Sequence, residues 1–155
     1  MKYIRPGIVA TFRILWPHLI DDLPRPTNMA IADGEYWIPT IDEVNFFLKN
    51  TTIDRYQYHS KGFDCDDFAY VLAGQVRQNR YYQMKVRGLP PDEWLQWPFG
   101  ICWGSKFHGK SMYHAINICI VMDEKDHRKV VLIEPQSDKN WMADKNDDHP
   151  YFICM

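Results

Sequence analysis

The pattern that most restricts the fold runs from His114 to Gln136. His114-Ala115-Ile116-Asn117-Ile118-Cys119-Ile120-Val121-Met122 alternates, with the even positions more apolar. Asp123 to Asp126 is a polar turn, and Arg128 to Gln136 is a second β-rich run. Two such runs around a short turn predict an antiparallel hairpin. One register pairs His114 with Glu134, Ile116 with Leu132 and Ile118 with Val130. Directly opposite side chains share a face, about 4.5–5.5 Å apart at Cβ. A slip of one residue turns the histidine and the acid to opposite faces. The pairing that builds the sheet therefore also decides whether His114 and Glu134 meet.

Two helices are predicted before this hairpin. Thr40 stands three residues before Glu43, which is a capping box. Ile41, Val44, Phe47 and Leu48 follow at helical spacing and predict a helix from Ile41 to Leu48. Asp64 is a good N-cap for the second helix, with Asp67 as its third-position acid. Cys65, Phe68, Ala69, Leu72 and Val76 then fall on one face. This places Cys65 in the first turn, above the buried stripe. Residues 21–39, with Pro24, Pro26, Gly34 and Pro39, read as a surface loop. Repeated glycines and prolines make residues 81–113 read mostly as loop, with a short strand at Phe99–Trp103. Tyr151 to Cys154 reads as a closing strand.

Chain length suits a single domain over residues 1–155 with one core. The net charge of −2 gives no basic field for nucleic acid. Aromatic residues make up 15% of the chain, which reads as core filling by large rings, Trp94, Trp97 and Trp103 included. None of the four cysteines forms a C-x-x-C pair, so a zinc cluster is not expected. Arg13 and Pro17 interrupt the apolar N-terminal stretch, so neither a signal peptide nor a membrane span is read there. The expectation is a cytoplasmic chain with reduced thiols and no membrane partner.

Cysteine at a helix start, histidine at a strand start and a carboxylate at the end of the next strand form a known chemical order. The free amides of a helix N-terminus and a nearby imidazolium both stabilise a thiolate. A carboxylate then orients the imidazole. Cys65, His114 and Glu134 are the candidates for these roles. Asp64, Asp66 and Asp67 oppose a thiolate by like charge unless they point away or a cation neutralises them. Adjacent acids near an oxygen acceptor such as Gln136 suit Ca²⁺, a hard ion that prefers oxygen ligands.

The segments Asp64-Cys65-Asp66-Asp67-Phe68-Ala69, His114-Ala115-Ile116 and Glu134-Pro135-Gln136 resemble the C-terminal domain of the Marasmius-type fungal agglutinin family. The resemblance covers residues 40–136 in three short motifs. It implies a papain-like or transglutaminase-like α+β fold, with Cys65 at a helix N-terminus packed against a small antiparallel sheet. It also implies a calcium-activated cysteine hydrolase of peptide or isopeptide bonds, with Cys65, His114 and Glu134 as triad and a peptide or protein as substrate. Asp66 and Asp67 are implied near the metal, and Gln136 in or near the site. Gln57 is the nearest candidate for an oxyanion glutamine. Two further readings stay open: a cell-wall amidase or endopeptidase of the NlpC/P60 type, and an inactive papain-like scaffold that serves as a binding or effector protein.

Overall fold

The computed structural model describes residues 2–19 and 28–155. Strand β1 (Lys2–Ile4) leads into helix α1 (Arg5–Leu15), and two short strands follow, β2 (Met29–Ala30) and β3 (Glu35–Trp37). Helices α2 (Ile41–Leu48) and α3 (Cys65–Val86) come next. The chain then runs through β4 (Phe99–Phe107), β5 (Lys110–Met122), β6 (Arg128–Glu134), β7 (Lys139–Met142) and β8 (His149–Cys154). Six of these strands form one sheet in the order β2-β8-β4-β5-β6-β7, antiparallel except for the β2–β8 pair. A separate two-stranded ribbon pairs β1 with β3.

Strand β5 holds the molecule together because both of its faces are covered. Ile116, Ile118 and Ile120 pack with Ile8, Phe12 and Trp16 of the α1 side. Ala115, Cys119 and Val121 pack with Val44, Phe68 and Leu72 of α2 and α3. Alternation in the sequence thus separates two apolar layers. Each fully buried aliphatic side chain contributes about 1.5–3 kcal/mol. Asn117 interrupts the series and is itself fully buried. Its Nδ2 donates to the Ala69 carbonyl at 2.8 Å and to the Gly100 carbonyl at 3.0 Å, tying α3 to β4 and β5.

Local signals set the helix starts. The Thr40 amide donates to Glu43 Oε2 at 2.8 Å, and the Glu43 amide returns a bond to Thr40 Oγ1 at 3.2 Å. The predicted helix over 41–48 is observed with those bounds. Asp64 precedes α3, and its amide donates to Asp67 Oδ2 at 3.1 Å. Phe68, Ala69, Leu72 and Val76 are buried along the predicted stripe.

Several expectations are corrected. The papain-like or transglutaminase-like domain with a small antiparallel sheet gives way to a mixed six-stranded sheet that spans the molecule. Residues read as loop supply much of it. Helix α3 runs on through Gly74 to Val86, and Gly88, whose φ is +64°, follows its end. Strand β4 continues through Gly104, where a Cβ would strike the Phe107 ring and the His149 carbonyl. Phe107 pairs with Lys110 across a two-residue loop, and His108 and Gly109 there have φ of 49° and 76°. Two left-handed residues match the twist of a tight hairpin. Within the expected loop over 21–39, β2 and β3 form and Tyr36 is fully buried, while Pro24 and Pro26 lie outside the described residues. The closing strand expected over Tyr151–Cys154 is present as β8, which starts at His149 and lies between β2 and β4.

Candidate functional site

The β5–β6 hairpin forms with even positions opposite even ones, but two residues away from the expected register. Ile118 pairs with Leu132 and Ile120 with Val130. Continued to the strand ends, this sets Glu134 diagonal to His114 on the same face. Long side chains bridge that diagonal. His114 Nε2–H donates to Glu134 Oε2 at 2.7 Å, with the two side chains 11% and 25% exposed. Glu134 Oε1 accepts from the Gln136 amide at 3.2 Å. Both carboxylate oxygens are held.

Cys65 reaches the same place from the other side. It is half-buried in the first turn of α3 and packs on the α2–α3 layer. Cys65, His114, Glu134, Gln136 and Tyr58 line one open cleft of about 360 Å³, together with Met112 and Tyr113. Tyr58, Met112 and Tyr113 are large exposed side chains. Sequence patterning missed these three, although Met112 and Tyr113 immediately precede His114 on its strand. Gln57 is exposed and outside this lining. Its neighbour Tyr58 takes the place beside Cys65.

The acids around Cys65 divide by role. Asp67 is engaged by the Asp64 amide. Asp64, Cys65 and Asp66 present ligand atoms within 4.8 Å of one another. A hydrogen bond with Asp64 and then burial hold the Asp66 carboxyl above the ordinary range. Asp64 Oδ1 is buried without a partner among the described residues. Of the expected pair Asp66 and Asp67, only Asp66 is grouped for a cation, and Asp64 joins it. Of the other thiols, Cys154 is half-buried, while Cys102 and Cys119 are core groups. Burial pushes both Cys102 and Cys119 well up, so these two are neutral and inert.

This chain belongs to the agglutinin C-terminal family, whose model matches residues 36–140. Two solved structures share the fold over 99% of this chain. One is described as a complex of PSL1a with E64, with a TM-score of 0.71 and 22% identity. The other is a Polyporus squamosus lectin bound to the human-type influenza-binding epitope Neu5Acα2-6Galβ1-4GlcNAc, with a TM-score of 0.70 and 23% identity. The chain spans 51% and 49% of those two chains, about half of each. No curated protein sequence matches it.

The comparisons correct the expected function. The family is one of agglutinins, and a lectin with its glycan shares the fold. On that finding the cysteine hydrolase assignment, its enzyme class and the cell-wall amidase alternative are set aside. No helix among the described residues is long and apolar enough to cross a membrane.

Proposed function

We propose that this chain acts in glycan recognition as a module of a lectin-type protein, with the cleft around His114 and Glu134 as its ligand site. The lining of that cleft carries the reading. Tyr58, Met112 and Tyr113 offer exposed apolar faces, which suit the C–H faces of a sugar ring. His114, Glu134 and Gln136 offer donors and acceptors already fixed to one another. Apolar walls with a few convergent polar groups are the usual make-up of a small-ligand site. Titration calorimetry of the chain with Neu5Acα2-6Galβ1-4GlcNAc and with neutral oligosaccharides tests it. Saturable binding, weakened about tenfold by Glu134→Ala and by Tyr113→Ala, is expected. Binding that ignores both substitutions, or no binding to any glycan in the set, overturns it.

A second property of this site is favoured by the position of Cys65. A half-buried thiol at a helix start shares the cleft with an imidazole held by a carboxylate. We read Cys65, His114 and Glu134 as one unit that presents a reactive thiol to the bound ligand. Selective alkylation of Cys65 by iodoacetamide, slowed about tenfold in His114→Ala, is the expected outcome. Equal rates in the two proteins count against it.

Calcium belongs to the same proposal. Asp64 and Asp66 supply hard oxygen donors, and the unpartnered Asp64 Oδ1 fits such an ion. When bound, Ca²⁺ supplies positive charge that offsets these carboxylates beside Cys65. Calcium is expected to raise the melting temperature of the native chain and to leave that of Asp66→Asn unchanged.

A further inference from the structure

A separate cleft of about 320 Å³ lies far along α3 from Cys65. Arg80 lines it, about 22 Å down the helix axis from Cys65 at 1.5 Å per residue. Arg80 is only 4% exposed. Its Nε donates to the Leu95 carbonyl at 3.1 Å and its Nη1 to Gln83 Oε1 at 3.2 Å. Both acceptors are neutral. No carboxylate among the described residues forms an ion pair with Arg80. Arg87 lines the same cleft, and burial, then the Arg87 charge, lower the Arg80 pKa from its ordinary value, against a smaller opposing effect of the Glu43 charge. A buried charge with no carboxylate in contact is destabilising, and one brought into contact relieves it.

The walls define the shape of the missing partner. The guanidinium sits over the Trp37 ring, 5.6 Å from its centroid. Trp37 is 37% exposed and shares the lining with Leu89 and Leu95. Asp92 and Glu93 also line the cleft, which disfavours ligands with more than one negative charge.

We propose that this cleft binds a small organic monocarboxylate with a flat apolar body. The carboxylate meets the buried fork of Arg80 with help from Arg87, and the body lies against Trp37, Leu89 and Leu95. A planar guanidinium suits such an oxyanion better than an ammonium does. The site is independent of the glycan reading.

The test uses the whole chain with benzoate, benzyl alcohol and inorganic phosphate, followed by the indole N–H signal of Trp37 in a nitrogen-15 NMR titration. Benzoate is expected to shift that signal saturably. Benzyl alcohol, which has the ring without the charge, is expected to leave it in place. Arg87→Gln changes an exposed residue and is expected to weaken benzoate at least fivefold, so the test does not depend on whether Arg80 variants fold. A response to benzyl alcohol equal to that of benzoate overturns the proposal. Unchanged benzoate affinity in Arg87→Gln does so too, as does tighter binding of phosphate than of benzoate.

Discussion

At the scale of single residues, the acids show how differently one side chain behaves by position. Asp148 is fully buried, yet its carboxylate accepts from the His108 amide at 2.8 Å, Trp141 Nε1 at 3.1 Å and the Asp144 amide at 2.8 Å. Asp148→Ala strands those three donors and is expected to destabilise the fold by about 3 kcal/mol in urea titration. Asp138 is the opposite case. Burial, and then the charge of Asp54, push its carboxyl up to about 6. Its Oδ1 lacks a partner among the described residues, and its φ is 54°. A raised folded pKa means that the stability this group contributes is present below its unfolded value and lost as pH rises through about 6. Asp138→Asn removes the charge and keeps a residue that tolerates left-handed backbone. It is expected to stabilise by about 1 kcal/mol above pH 7, allowing for solvent screening, and to make no difference near pH 3.5. Thermal unfolding at the two pH values reads this directly. Cys65, His114 and Glu134 were legible as candidates because a cap and an alternating pattern are local. The preference for Asp64 over Asp67 as partner of Asp66 was not, since it depends on where each carboxylate turns.

At the scale of elements, α3 and β5 have to be held together for the cleft to exist. Asn117 makes that joint from inside the sheet. Asn117→Ala removes both bonds and is expected to destabilise the chain by about 1–2 kcal/mol and to speed Cys65 alkylation by loosening the start of α3. Chemical denaturation and labelling rates check the two parts. Gly100 is a tighter constraint, because a Cβ there would run into the Cys154 carbonyl of β8. Gly100→Ala is expected to prevent β8 from docking and to leave little folded protein by circular dichroism. The Thr40 capping box and the Asp64 N-cap announced α2 and α3 within four residues of sequence, so their starts were readable. The full length of β4 was not. Gly100 and Gly104 look like breakers in a sequence, and only the closeness of β8 shows why glycine is required within the strand.

For the whole molecule, strand order sets the stability gradient. β5 is central, with β4 on one side and β6 on the other, while β7 and β2 lie at the edges. Amides of β5 from Ile116 to Val121 are expected to exchange only by global unfolding. Those of β7 and of the β1–β3 ribbon are expected to exchange faster, in hydrogen-exchange measurements on the native chain. Uniform protection across the sheet would contradict this picture.

The sequence by itself determined the starts of two helices, the stripe that buries α3 and the even pairing of the main hairpin. These rest on hydrogen bonds and side-chain alternation within a few residues of each other. Tertiary structure decided the two-residue offset that makes His114 and Glu134 diagonal partners. It also decided the insertion of β8 between β2 and β4, and the burial of Arg80 beside Trp37. Each of those depends on surfaces far apart in the chain fitting together, and no local preference encodes that fit.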